Sequence, residues 1–358
     1  MATSLIIETL EAHLIPAETT RVALVVPLSG VLGLVGPCAV NCATLAADEV
    51  NASGGVLGRP VELVLVDGGR APGEVAAEVG ALVAARAVQA VVGIHASDVR
   101  LAVGRAIGGR APYVYTPPYE GGGRAPGVYY LGETAGDQVT PAIDWLVGHR
   151  RARRWFLVGN DYVWPRLVHA AARPRLPVLV GERFIPYGLA SVERLLEEIA
   201  AARPDAILLT LIGSDLIRFN RAYARSGLTC ARLCGALEEH GLLGIGGDDT
   251  GDLYASMGYF GSLTTDAGLS LAERYAARFG PHAPALNAHG HGSYEGVRMV
   301  AALAARAGSF AVPAFDRHAD GTTVVGGRGE ITLTGRHVRK RVYLGRADGL
   351  GFDVITSV

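Results

Sequence analysis

Lysine is nearly absent from this 358-residue chain: of its 33 basic residues only Lys340 is a lysine. The four residues before it, Arg336-His337-Val338-Arg339, contain no glycine, which excludes a phosphate-binding GxxxxGK[ST] loop. Schiff-base chemistry would rest on that one side chain, which lies in an RHVRKR run expected to be solvated. Net charge is missing too. With 34 acidic residues the formal charge is −1, giving no electrostatic case for direct nucleic-acid binding or a polybasic membrane anchor. The first twenty residues hold no Lys or Arg and carry Glu8, Glu11 and Glu18, so they do not read as a secretory leader. No apolar run approaches the roughly eighteen residues of a membrane span. Read from Met1, the chain is expected in the cytoplasm; the alternative, if a leader has been removed, is a periplasmic or lipid-anchored protein. Cysteine is scarce and comes in two equally spaced pairs, Cys38/Cys42 and Cys230/Cys234. That spacing puts both thiols of a pair on one helical face, poor geometry for a disulfide and not that of a zinc knuckle. Buried reduced thiols are expected, with a metal bridge or redox pair as the alternative.

Catalytic signatures are missing as well. No serine sits in GxSxG and no HExxH occurs. The stretch GIGGDDTG has Asp249 where a dinucleotide fingerprint needs its third glycine, and reads as a polar loop. His289 and His291 with Glu295 form a weak metal candidate, set against histidines in a loop entering the SYEGVRM helix. The carboxylates of Glu238 and Glu239 are adjacent in sequence and so point in different directions, unlike an acid/base couple.

What is present is an apolar chain, 49% hydrophobic against 19% charged, long enough for two domains. RVALVV, VELVLVD and AVQAVVG read as buried strands, separated by the helices PCAVNCATLAADEVNAS and EVAAEVGALVAARA. The alternation passes through a Gly/Pro-rich stretch, PPYEGGGRAPG, and restarts with QVTPAIDWLVGHR and RWFLVGN. Strand–helix alternation with short connections predicts parallel sheets wound with helices, here in two units with a cleft between them. In such sheets ligands bind beyond the carboxyl ends of the strands. Polar and aromatic residues cluster at those ends: His95 and Ser97, Pro117 and Tyr119, Tyr162 and Trp164, then Ser214. Together they predict a small polar ligand held by hydroxyls, backbone amides and aromatic walls.

The stretch PLSGVLGLVGPCAVNCATLAADEVNASGGVLGRPVELVLVD resembles the opening of the type I periplasmic binding proteins of the branched-chain amino acid class. Its Asn51, Gly54, Gly55, Val56, Gly58 and Arg59 match that family's turn after the first helix. YTPPYEG (115–121) and VGNDYVWPR (158–166) are similar to motifs of the amide and urea branch, especially its cytosolic amide receptor, which controls an aliphatic amidase operon. The likeness runs from about Arg21 to the C-terminus. It implies an α/β fold of two lobes joined by three crossovers, near 131–138, 256–262 and 320–330. The lobes would be 21–134 plus 261–322 and 135–260 plus 323–358, with 1–20 an extension whose LIIETLEAHLI has the look of a docking helix.

Position by position, the resemblance implies that Ser97 holds the ligand's polar head, with His95 standing where the amide receptor has tyrosine. Tyr115, Thr116 and Pro117 match the next ligand loop with Thr and Pro exchanged, and Tyr119 closes the same motif. Tyr162 and Trp164 would wall the pocket from the second lobe, tryptophan replacing tyrosine at 164. Gly213 and Ser214 match the second-lobe loop, Glu239 a glutamate that pairs with the ligand ammonium in amino-acid binders, and Tyr259 a crossover facing the cleft. Packing and helix capping are the ordinary alternatives for these residue types. The implied function is hinge closure on a small amide, urea-like or amino-acid ligand, without enzymatic activity, metal or cofactor. The partner would be a regulatory, antiterminator-like protein, with self-association into a homo-oligomer as a further option. A substrate-binding receptor of an ABC transporter is the runner-up, and an enzyme on the same architecture the third reading.

Overall fold

The computed structural model describes residues 18–189 and 191–358; the docking-helix expectation for the N-terminal extension lies outside them. β1 (Thr20–Val26) has no polar residue after Arg21, and such a strand needs cover on both faces. It runs parallel to β2 (Val61–Asp67) on one side and β3 (Ala90–Gly93) on the other. Val22, Leu24 and Val26 pack toward α1 (Gly36–Ala52), whereas Ala23 and Val25 pack toward α2 (Pro72–Ala84) and α3 (Ser97–Ile107). β4 (Tyr113–Tyr115) and β5 (Val128–Tyr130) extend the parallel sheet.

The chain then crosses at 131–134 into a second lobe of the same pattern. Its helices are α4 (Ala135–His149), α5 (Val163–Ala172), α6 (Glu193–Ala202), α7 (Gly213–Tyr223) and α8 (Glu239–Ile245). They alternate with β6 (Arg154–Asn160), β7 (Val178–Ile185), β8 (Ala206–Thr210), β9 (Ala231–Cys234) and β10 (Leu253–Met257). It returns at 258–265 to α9 (Asp266–Phe279), α10 (Ala288–Ala307), α11 (Val312–His318), β11 (Thr323–Gly326), β12 (Gly329–Thr334) and β13 (His337–Val338). A last crossing leads to β14 (Tyr343–Asp348) and β15 (Gly351–Ser357). The sheet orders are β11-β12-β13-β5-β4-β3-β1-β2 and β15-β14-β10-β9-β8-β6-β7.

Four expectations are corrected here. β11 to β13 belong to the first sheet, β13 pairing with β5 through His337 and Tyr130, so 323–358 is not one block of the second lobe. The third crossing therefore falls at 339–342, not 320–330. Cys230 precedes β9 and Cys234 ends it, so that pair is not on a helix; Cys38 and Cys42 are, with their free thiols buried 4.0 Å apart. By length and composition alone Gly30–Ala52 would suffice to cross a membrane, with mean hydropathy 1.6. Here its α1 portion is a core helix lying so close to α10 that a Cβ on Gly290 would sit 2.3 Å from Cys38 Sγ.

The fourth correction concerns Lys340, which is not solvated: its side chain is 4% exposed. Its Nζ meets Glu133 Oε1 at 2.8 Å and bonds the Leu131 carbonyl. Arg328 binds Glu295 through both nitrogens of a fork, Nε to Oε1 at 2.9 Å, and reaches Glu133 at 3.3 Å and the Gly258 carbonyl at 3.4 Å. Two cations and two carboxylates thus tie together all three crossings in a buried cluster. Burial alone would raise the two carboxyls, but Lys340 and Arg328 hold Glu133 below its ordinary value, and Arg328 does the same for Glu295. Beside them His291 stacks on Tyr259 at 4.3 Å, neither ring nitrogen hydrogen-bonded.

Candidate functional site

Carboxyl ends of strands from both sheets face the gap between the lobes. There the structure brings together His95, Ser97, Tyr115 and Pro117 from the first lobe with Tyr162 and Trp164 from the second. They line a small cavity, completed by Leu32, Ala96, Pro118, Ile212, Ala236 and His289. No aspartate, glutamate, lysine or arginine lines it.

Several of these walls are held by local bonds. The Tyr115 hydroxyl donates to the His95 carbonyl at 2.6 Å. His95 Nδ1 lies 3.1 Å from the Ala96 carbonyl, which can only accept, so Nδ1 carries the proton and Nε2 accepts from the Tyr113 hydroxyl at 3.0 Å. Burial pushes His95 down to about 4, as it does His289, so both rings are neutral near pH 7. Arg100, buried behind Tyr115 with its guanidinium 5.4 Å from that ring, pairs with Glu120 and ties the 117–120 loop to α3. In the second lobe Asn160 Oδ1 accepts from the Ile212 amide at 2.9 Å and Asn160 Nδ2 donates to Asp215 at 2.8 Å, setting the start of α7.

Helix starts in the chain divide into capped and uncapped, and α1, α2, α6 and α11 are uncapped as well as the three at this cavity. α4, α8, α9 and α10 are closed by side-chain caps from Thr134, Glu238, Thr265 and Asn287. α3, α5 and α7 have Ala96, Tyr162 and Ile212 at the N-cap, and none makes a side-chain cap bond. The Val99 amide of α3 already donates to Asp98 Oδ1 at 2.8 Å and the Asp215 amide of α7 to the Ile212 carbonyl at 3.1 Å. The first two amides of each helix, with the partial positive charge of the helix end, are left for another acceptor. Two side-chain donors share that condition: Ser97 Oγ and Trp164 Nε1 are buried without a hydrogen-bond partner. The cavity thus offers donors, aromatic walls and no fixed charge.

Six other residues expected at the site lie elsewhere. Thr116 turns inward toward the Gly93 carbonyl at 3.4 Å. Tyr119 stacks on Tyr130 at 4.7 Å and bonds His337 Nδ1 at 2.6 Å. Gly213 abuts the backbone of Val31 across the lobes, and Ser214 faces an outer hollow beside Arg218 and Arg221. Tyr259 stacks on His291 in the hinge. Glu239 Oε1 accepts from the Gly261 amide at 2.6 Å, outside the cavity lining. Ile212 went unforeseen, although an apolar residue at a helix start was a legible signal for it, and His289 was singled out only as a metal candidate, not as a cavity wall. Among the described residues no group of three or more His, Cys, Asp or Glu is placed to hold a metal.

Glu239 has a testable titration. Burial first, then the Glu238 carboxylate, push it up to about 8 from an ordinary value of 4.5. The folded state therefore holds a proton that the unfolded chain has released, so the contribution is full below about 4.5 and lost as pH rises through about 8. Glu239→Gln keeps the neutral form. It is expected to match wild type in thermal midpoint below that window and to exceed it above. A constant difference at every pH would refute the assignment.

Comparison with known proteins places this geometry in context. A family model described as periplasmic binding protein matches residues 19–351. The leucine-binding protein LivK from Thermotoga maritima has a TM-score of 0.82 at 19% identity, covering 95% of this chain and 99% of that one. LivJ from Streptococcus pneumoniae, in complex with isoleucine, gives 0.83 at 19% over 95% and 98%. An ABC-transporter solute-binding protein from Rhodopseudomonas palustris HaA2, in complex with p-hydroxybenzoic acid, gives 0.84 at 18% over 95% and 96%.

Proposed function

The chain belongs to the periplasmic binding protein family, and from that premise we propose that it is a receptor for a small ligand whose head carries acceptor oxygens and no ammonium group. A carboxylate or an amide or urea carbonyl fits this description, on an apolar or aromatic body. The observation that carries the reading is the convergence of three uncapped helix starts with the unpartnered Ser97 Oγ and Trp164 Nε1 on an uncharged cavity. Ser97 Oγ and Trp164 Nε1 are buried and unpaired, a condition that costs about 1–3 kcal/mol per group and that an acceptor relieves. An α-ammonium would enter without a carboxylate to meet it, since Glu239 lies off the lining and is neutral near pH 7. The relative bound to p-hydroxybenzoic acid supports such a head on this fold.

The likeness of 115–121 and 158–166 to the amide receptor supports a ligand sensor whose closed form is read by a regulatory protein. The relatives described as transporter proteins favour the second reading, delivery to a membrane permease. Which of these the ligand-loaded chain captures separates them.

The ligand class is tested by thermal shift and calorimetry with short carboxylates, primary amides, ureas and branched-chain amino acids. A ligand at a hundredfold over its Kd adds about 2.7 kcal/mol of stability. Carboxylates or amides are expected to bind at least tenfold tighter than the matching α-amino acids. Ser97→Ala and Trp164→Phe, which each remove one donor, should weaken binding about tenfold or more. Amino acids binding more tightly than their des-amino counterparts, with loss on Glu239→Gln, would overturn the reading.

A further inference from the structure

Leu32 and Ala96 line not one hollow but two. Beyond the aromatic cavity they also wall a half-open hollow of the first lobe, bounded by Gly30, Gly69, Ala71, Pro72 and Val99 and faced from the second lobe by Tyr187. The turns after β1 and β2 build it from residues with little or no side chain, so nothing of the chain's own fills it. The polar residues at its rim are already engaged: Arg70 with Glu78, and Asp98 Oδ2 with the Tyr187 hydroxyl at 3.2 Å. That second contact runs from α3 of the first lobe to the segment after β7 of the second, so the lobes are bridged at the rim of the space. The lining is otherwise apolar side chain and backbone; Arg70 is paired with Glu78, and the Asp98 carboxylate is met by the Tyr187 hydroxyl and the Val99 amide.

We propose, resting on the head-group reading above, that the ligand is elongated. Its acceptor head sits in the aromatic cavity, and an uncharged apolar tail, an alkyl chain or aryl ring, runs past Leu32 and Ala96 into this second space. Tyr187 and Asp98 close over the tail. The subsite then sets the length of ligand accepted, while the helix starts set the kind of head.

The test is calorimetry on the full chain with straight-chain carboxylates from acetate to decanoate and their primary amides. Affinity is expected to climb about fourfold per methylene, the factor for burying a CH₂, through the longer members. Ala71 is exposed, so a larger residue there fills the space without entering the core. Ala71→Trp should cut the long-to-short affinity ratio at least tenfold, and Ala71→Leu serves where the indole is not tolerated. Short members that bind while affinity levels off or falls along the series would overturn the tail subsite and leave the head-group reading standing. So would an unchanged ratio in both variants. No binding at any length would overturn the head-group reading, and the subsite with it.

Discussion

Gly213→Ala is expected to keep the lobes from closing and to cost the chain at least about a hundredfold in ligand affinity. Gly213 begins α7 with φ at +48°, a conformation that carries about 1–2 kcal/mol of strain for a residue with a Cβ. The larger effect is steric. A Cβ there would lie 1.8 Å from the Val31 carbonyl oxygen and 2.7 Å from its carbon. Both are backbone atoms of the other lobe and cannot swing aside. Because Val31 belongs to the other lobe, the clash is expected to act on closure, and unfolding without ligand should then register little beyond the local strain. Ligand-induced compaction, followed by small-angle X-ray scattering, should vanish. A variant that compacts normally and binds within threefold of wild type would show that closure does not bring these segments together.

Glu295→Ala should be the most destabilising single change in the hinge. The Glu295 side chain is fully buried and is the two-point partner of Arg328. Removing it leaves a buried guanidinium with only the Glu133 carboxylate, which Lys340 also needs. Breaking a buried pair from one side costs about 3–5 kcal/mol. The measurement is the urea midpoint at unchanged slope. Replacing both partners, Glu295→Ala with Arg328→Met, should recover part of the loss because no charge is then left unpaired. A loss under about 1 kcal/mol for the single variant would mean that water or relaxation reaches Arg328 and that the cluster does not hold the crossings as described.

The wound architecture was legible because its signal is local: apolar runs of strand length, helical periodicity between them, glycine at the turns. Short strands escaped where that signal is weak, as with β5, β9 and β10, which span three to five residues. The third crossing was misplaced for a different reason. β11 to β13 alternate like any hairpin, and nothing local says which sheet their edge joins. The site divides along the same line. His95, Ser97, Tyr115, Pro117, Tyr162 and Trp164 follow strand ends, and strand-end position carried them. Thr116 fails by pleat: it stands between Tyr115 and Pro117, and a two-residue period turns it away from the side they share. Tyr119, Glu239 and Tyr259 lie near the right loops, but their contacts, with His337, Gly261 and His291, come from distant segments. The basic run around Lys340 misled because alternation exposes Arg339 and Arg341 while turning the lysine inward.

That buried lysine gives the molecule an unusual chemical surface. Lys340 is the chain's one ε-amine, and it is shut into the joint on which the lobes pivot. Amine-directed acylating reagents, which coat most proteins at many points, find no lysine on the outside of this one. A protease that cuts only after lysine has one bond to attack, and it too lies at the joint. Both reagents, ordinarily indifferent to conformation, become reporters of how often the hinge lets go.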